Sequence, residues 1–99
     1  MFEVIFHPGA RDEAVEAASY IAEHAGVAQA DAWLDELERT VHSLSEYPRR
    51  FALAREASSF SGEDLRQALV HNHRIIFTIR GSTVHVLHIR HAARRDLEG

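Results

Sequence analysis

The residues best suited to chemistry lie in the C-terminal third of the chain, where arginines and histidines are interspersed with apolar residues. Arginine binds phosphate and carboxylate groups through paired N–H donors, and histidine exchanges protons near neutral pH. These residue types on neighbouring strands predict a surface that binds an anionic partner, either nucleic acid or an acidic protein. The candidate binding surface consists of Arg66, Arg74, Arg80, His88, Arg90, Arg94 and Arg95.

The distribution of charge supports a basic working surface on an acidic scaffold. The net charge of the 99 residues is −4, and all 11 basic residues are arginine. Residues 1–63 contain 5 arginines and 12 acidic residues, whereas residues 64–99 contain 6 arginines and 3 acidic residues. Ordinary solvated charge on two sides of one domain is the alternative interpretation. The absence of lysine excludes a catalytic lysine and a lysine-bearing phosphate loop.

Other function classes are excluded by composition. The chain has no cysteine, which rules out thiolate metal sites, iron–sulfur clusters and cysteine nucleophiles. We expect no cofactor and no metal, because a regular strand would point His85 and His88 to opposite faces. No stretch is apolar enough to span a membrane and no signal peptide is visible, so we expect a cytoplasmic protein without a membrane partner.

Hydropathy patterns predict the elements that position the arginines. A length of 99 residues predicts a single domain over 1–99, with a polar tail at 92–99. Alternating and helical spacings predict a strand at 2–6, helices at 10–25 and 30–47, an irregular connection at 48–63, and strands at 65–70, 74–80 and 83–90. The predicted fold class is α+β, in the order β-α-α-β-β-β. A helical hairpin packs on one face of a small, mainly antiparallel twisted sheet.

Strict alternation along the strands predicts which side chains face the helices. The residues expected to face the helices are Leu65, Leu69, Ile75, Phe77, Ile79, Leu87 and Ile89. The residues expected on the uncovered face are Arg66, Ala68, Val70, Arg74, Ile76, Thr78, Arg80, Val84, Val86, His88 and Arg90. We expect His91, Arg94 and Arg95 to extend the basic charge beyond the last strand.

The C-terminal strands resemble the signature of a known family. The matching segments are residues 65–66, 73–79 (HRIIFTI) and 84–94 (VHVLHIRHAAR). Together with the preceding strand and two helices, they resemble the RelE/ParE toxin superfamily over nearly the whole chain. The resemblance implies the toxin of a bacterial type II toxin–antitoxin system, bound and neutralised by a cognate antitoxin in a hetero-oligomer. Members of this superfamily either cleave mRNA on the ribosome, as RelE-like toxins do, or poison DNA gyrase, as ParE-like toxins do.

Departures from the RelE-like pattern favour the ParE-like branch. Leu65 and Gln67 stand near positions where RelE-like members carry lysines, and the tail has no late tyrosine. The favoured function is therefore non-enzymatic inhibition of DNA gyrase. The alternative is a metal-independent endoribonuclease acting on ribosome-bound mRNA. In that case His88 or His91 would serve as the acid–base, and Arg74, Arg90 and Arg94 would stabilise phosphate. A further alternative is a non-toxic binding module of the same fold.

Overall fold

The computed structural model describes residues 1–55 and 64–93, which form the predicted sequence of strands and helices. The elements are β1 (Glu3–Phe6), α1 (Pro8–Ala25), α2 (Val27–Ser43), a 3₁₀ turn (Pro48–Arg50), β2 (Arg66–Val70), β3 (His73–Arg80) and β4 (Thr83–His91). This order confirms the α+β class and the β-α-α-β-β-β layout. Among the described residues, no helix is long and apolar enough to cross a bilayer.

The two helices form a hairpin joined by a single glycine. The Gly26 amide donates to the carbonyl of Ala22 (3.1 Å), and its carbonyl accepts from the Ala30 amide (3.2 Å). One residue therefore caps the end of α1 and the start of α2. Its φ of 97° and ψ of 159° lie in a region that essentially only glycine occupies. Both helices begin earlier than their apolar spacing predicts. α1 begins at Pro8, which is well suited to the first turn and needs no amide partner there. α2 begins directly after Gly26.

The four strands form one sheet in the order β1-β4-β3-β2. β1 runs parallel to β4, while β4, β3 and β2 are joined as antiparallel neighbours. The predicted two-residue hairpin at Gly81–Ser82 is present, with Arg80 opposite Thr83 and a φ of 60° at Gly81. The sheet is thus mainly antiparallel, as expected, and β1 and β2 are its two edges.

A β-bulge in β4 changes which of its side chains face the helices. Phe77 lies opposite Val86 and Ile76 lies opposite His88, so Leu87 is the extra residue. A bulge shifts the alternation of the strand by one residue. Val84 and Val86 therefore lie in the core, while Leu87 packs on the opposite side of the sheet. The strict alternation predicted for β4 was wrong for these three residues and right for Ile89.

The faces predicted for β2 were also wrong. Ala68 lies opposite Ile75 and belongs to the core under the helices, as does Val70. Leu65 lies in the cluster on the other side of the sheet, and Leu69 is 61% exposed. Both sets of alternating positions around β2 contain apolar residues: Leu65 and Leu69 in one set, Ala68 and Val70 in the other. The sequence pattern alone therefore does not show which set faces the helices.

Two clusters of buried residues lie on the two sides of the sheet. The main core lies under the helical hairpin and contains Ala10, Ala14, Trp33, Leu37, Leu44, Ala68, Val70, Ile75, Phe77, Ile79, Val84, Val86 and Ile89. A smaller cluster on the far side contains Ala54, Leu65 and Ile76, with Leu87 packed against it. The chain at 52–54 hydrogen-bonds along the outer edge of β2, through the Ala54 amide to the Leu65 carbonyl (2.8 Å). The far face is therefore partly covered rather than fully open.

Candidate functional site

The face of the sheet opposite the helices carries four of the predicted binding residues. These are Arg74, Arg80, His88 and Arg90, whose positions alternate with those of the core residues on β3 and β4. Arg74 lies opposite Arg90, and Arg80 is exposed at the end of β3. Arg94, Arg95 and most of the predicted polar tail lie outside the described residues.

Arg74 is enclosed by the protein rather than presented to solvent. Its exposed fraction is 3%, and its Nε donates a hydrogen bond to the Gln67 side-chain oxygen at 3.0 Å. Gln67 is on the neighbouring strand, so this contact joins β2 and β3 across the far face. Little of the Arg74 guanidinium is therefore open to a ligand approaching from solvent.

Glu13 on α1 connects the helical hairpin to the basic strand β4. β1 ends at Phe6, opposite Val86, and the start of α1 takes its place along the remaining edge of β4. Glu13 Oε1 accepts the Ile89 amide at 3.1 Å and lies 3.3 Å from His88 Nδ1. Its Oε2 lies 3.1 Å from Arg90 Nε, an ion pair without hydrogen-bond geometry. This contact could not be predicted from the sequence, because no local pattern brings Glu13 to residues that lie 75 or more positions away.

Arg66 does not belong to the far face, which corrects the sequence prediction. It lies opposite Phe77 on the side of the sheet that carries the helices. Its Nη1 donates to the carbonyls of Phe51 (2.7 Å) and Arg49 (3.2 Å), and its Nη2 pairs with Asp64 (3.1 Å). Arg66 therefore anchors the connection after the 3₁₀ turn onto β2.

His91 lies on the other side of the sheet from His88. His91 is opposite His73, two positions beyond the core residue Ile89, and the two histidine rings lie 5.2 Å apart. His73 in turn makes an edge contact with Trp33 of α2, at 4.9 Å between ring centres. Of the described residues of the alternative RNA-cleaving set, His91 therefore lies apart, whereas His88, Arg74 and Arg90 share the far face.

A histidine pair forms a contact that the sequence analysis did not predict. His7 Nε2 and His85 Nδ1 are 2.9 Å apart, which requires one ring to donate and the other to accept. His7 follows β1, and the parallel pairing of β1 with β4 brings it to His85. The bulge also places His85 and His88 on the same face, although regular alternation predicts opposite faces. Within residues 1–55 and 64–93, no group of three potential metal ligands is present.

An apolar groove runs between the helical hairpin and the edge strand β1. Its volume is about 820 Å³. Its apolar lining consists of Met1, Phe2, Val4, Phe6, Ala14, Val15, Leu34, Leu37 and Val41, and its polar lining consists of Arg11, Glu38, His42 and Ser45. Val15 is 64% exposed and Leu34 is 38% exposed, so apolar surface on both helices is open to solvent. Contiguous exposed apolar surface of this kind is typical of a protein-binding site.

Within the described parts of the chain no strand pairs with the outer edge of β1, which lies beside this groove. The amides of Glu3 and His7 donate to carbonyls of Ser82 and Val86 on the β4 side. In a parallel pair, alternate residues point their backbone amides and carbonyls away from the partner strand. The backbone amides and carbonyls of Val4 and Phe6 therefore point to the outer edge of the sheet. An edge strand with outward amides and carbonyls can accept a further strand from a partner. The groove and this edge together form a candidate interface for a peptide segment.

Comparisons with known proteins agree on one family. The family model for the ParE toxin of the type II toxin–antitoxin system parDE matches residues 4–96. A solved structure titled as the chromosomal ParDE toxin–antitoxin system from P. aeruginosa has the same fold, with a TM-score of 0.75 and 15% sequence identity. That match covers 92% of this chain and 96% of the other. The comparison with curated proteins gave no significant match. The chain therefore belongs to the ParE toxin family of type II toxin–antitoxin systems.

Proposed function

We propose that this ParE-like toxin inhibits DNA gyrase by binding to it, and that a cognate antitoxin neutralises the toxin in a complex. The family match supports the toxin assignment. The observation that carries the choice of a protein target is that the far-face residues of the RNA-cleaving set are engaged within the protein. Arg74 is 3% exposed and donates to Gln67. Glu13 lies 3.1 Å from Arg90 and 3.3 Å from His88. Gyrase is a cytoplasmic enzyme, so the proposal places the toxin in the cytoplasm.

The charges on the far face support the same choice. Affinity for nucleic acid depends strongly on the number of phosphates that lysines and arginines neutralise. This chain has a net charge of −4 and no lysine. Arg90 is paired with Glu13, and Arg74 is buried against Gln67. A sheet face whose cations are engaged within the protein is poorly suited to a large polyanion.

A supercoiling assay tests the proposed target directly. Purified toxin is titrated into gyrase, ATP and relaxed plasmid, and we expect supercoiling to fall as toxin reaches the gyrase concentration. Relaxation of supercoiled plasmid by topoisomerase I, with the same toxin, controls for nonspecific effects on DNA. Unchanged supercoiling at saturating toxin would contradict the proposal. New cuts in translated mRNA, detected by primer extension, would instead support the endoribonuclease alternative.

We also propose that the antitoxin covers the apolar groove and the outer edge of β1. Covering the exposed parts of Val15 and Leu34 would remove apolar surface from water, which stabilises a complex by about 25 cal/mol per Å² buried. The β1 edge would supply backbone hydrogen bonds to the antitoxin. The basic sheet face is partly covered by the chain at 52–54 and the small cluster beneath it, so it offers the antitoxin less open surface.

A matched pair of substitutions tests the groove. Leu34→Asp places a charge in the groove wall, whereas Val27→Asp changes a 68% exposed residue that does not line the groove. We expect Leu34→Asp to lower co-purification with the cognate antitoxin at least about tenfold, because a buried unpaired carboxylate is costly. Val27→Asp should leave co-purification unchanged. Equal retention of antitoxin by both variants would place the antitoxin elsewhere.

A further inference from the structure

The turn after α2 holds a tyrosine in a backbone conformation that tyrosine rarely adopts. Tyr47 has φ of 48° and ψ of 53°, the left-handed region. An L side chain crowds the following carbonyl in this region, which glycine and asparagine tolerate better. The next residue, Pro48, is buried and further restricts the conformation of the residue before it. Folding alone therefore favours asparagine or glycine at position 47.

The Tyr47 side chain contributes little to the stability of the fold. Its exposed fraction is 81%, so the ring buries little apolar surface. A buried aromatic residue could offset a strained backbone by removing apolar surface from water, but the Tyr47 ring is not buried. Tyr47 combines strain with exposure. This combination is expected where a side chain serves a contact outside the fold.

The turn holds the backbone that carries the exposed ring in a defined place. The Arg50 guanidinium donates to the carbonyls of Glu46 and Tyr47, the latter at 3.1 Å, and reaches Ser43 Oγ at 3.4 Å. The same guanidinium lies 4.3 Å from the centre of the Phe51 ring. Because the backbone at Tyr47 is already fixed, a partner that contacts the ring has to order only the side chain of this residue.

The charge around the turn indicates the chemistry of that partner. Residues 46–55 contain three arginines and one glutamate, within a half of the chain that is otherwise strongly acidic. Arg49 and Arg50 are exposed beside Tyr47. Tyrosine and arginine are the residue types most enriched at the energetic centres of protein interfaces. Carboxylates on the partner would complement the arginines and orient its approach.

We propose that Tyr47, with Arg49 beside it, contacts an acidic protein surface on the cellular target of the toxin. The inference rests on the proposed function, in which the toxin acts by binding a protein. Tyr47 does not line the apolar groove that we assign to the antitoxin. The Arg49 guanidinium lies 5.8 Å from the centre of the Phe2 ring, which does line the groove. The Tyr47 turn therefore adjoins the groove, and Tyr47 itself lies outside it.

Tyr47→Asn separates this contact from folding, because asparagine tolerates the left-handed region. We expect its melting temperature to stay unchanged or to rise by up to about 4 °C, since relief of backbone strain stabilises the fold. Its half-inhibitory concentration in the supercoiling assay should rise at least about tenfold, as expected for an interface tyrosine. Arg49→Glu should also raise the half-inhibitory concentration. The rise should be largest at low salt, because dissolved ions then screen the repulsion from the partner's carboxylates least.

Tyr20→Asn is the matched control, because Tyr20 is a 63% exposed tyrosine on α1. It should leave inhibition unchanged. Tyr47→Asn with full inhibition, or with a melting temperature lowered by more than about 4 °C, would overturn the proposal. Loss of antitoxin co-purification with retained toxicity, or loss of affinity for single-stranded RNA alone, would assign the turn to another partner and overturn it too.

Growth arrest after induced expression distinguishes failure of this inference from failure of the gyrase proposal. If the unaltered toxin arrests growth without affecting supercoiling, gyrase is the wrong target, and the same variants are compared by growth arrest. Reduced arrest by Tyr47→Asn alone then supports the contact surface, and undiminished arrest overturns it. An unaltered chain that arrests nothing and inhibits nothing overturns both proposals.

Discussion

Replacing Glu13, a partly buried residue of α1, with alanine should destabilise the toxin. The Glu13 carboxylate accepts the backbone amide of Ile89 and pairs with Arg90. These contacts are made to the part of β4 that extends beyond the end of β1. Removing the carboxylate leaves that amide without its partner and leaves Arg90 without its ion pair.

The expected decrease in the free energy of unfolding follows from the loss of these two contacts. A hydrogen bond to a charged acceptor contributes about 1.5–3 kcal/mol. The ion pair contributes at most about 1 kcal/mol, because the side chains of Arg90 and Glu13 are 30% and 21% exposed and solvent weakens the attraction. We therefore expect Glu13→Ala to lower the free energy of unfolding by about 2–3 kcal/mol, against a typical total of about 5–15 kcal/mol. For a domain of this size the melting temperature should fall by about 8–20 °C.

Urea unfolding followed by circular dichroism measures this loss. Glu13→Gln keeps an oxygen acceptor for Ile89 but removes the charge, so it should lose only about 1 kcal/mol. Glu16→Ala removes an exposed glutamate from the same helix and should change the stability by less than about 0.5 kcal/mol. The reasoning fails if Glu13→Ala is as stable as the unaltered chain. It also fails if Glu13→Gln is as damaging as Glu13→Ala, since the hydrogen bond to Ile89 would then contribute nothing.

Two further predictions concern the connections between elements. Arg66→Ala should lower the free energy of unfolding by about 1–3 kcal/mol, because it removes hydrogen bonds to the carbonyls of Phe51 and Arg49. Binding of the target by the folded fraction should be unaffected, and a weaker affinity of folded Arg66→Ala would return this residue to the binding surface. Gly26→Ala should cost about 1–3 kcal/mol through backbone strain alone, since an added Cβ meets no atom within 4 Å. Chemical denaturation checks this value, and an unchanged midpoint would show that the hairpin accepts another conformation at Gly26.

The order and type of the elements could be predicted because local patterns carry them. Alternation at Ile75, Phe77 and Ile79 identified β3 and its buried face, and Gly81–Ser82 identified the hairpin that follows. Gly26 marked the boundary between the helices. These signals depend on residues close together in the chain, where backbone preferences and side-chain periodicity act directly.

The faces of β2 and β4 could not be predicted in the same way. The extra residue at Leu87 reverses the alternation within one strand, and both phases of β2 carry apolar side chains. As a result the sequence analysis placed Arg66 with the binding residues, although it lies on the helix side. The choice between two apolar phases is made by packing against other strands, which a single strand does not encode.

Local sequence patterns specify the α+β layout, and the composition of the C-terminal strands concentrates arginine and histidine there. How many of those side chains remain available to a partner depends on the packing of the elements against one another. The parallel pairing of β1 with β4 ends at Phe6, and this gives Glu13 access to Arg90. The same pairing leaves the outer edge of β1 open beside the groove. These outcomes depend on contacts between residues far apart in the chain, because burial and charge pairing are properties of the assembled sheet and helices.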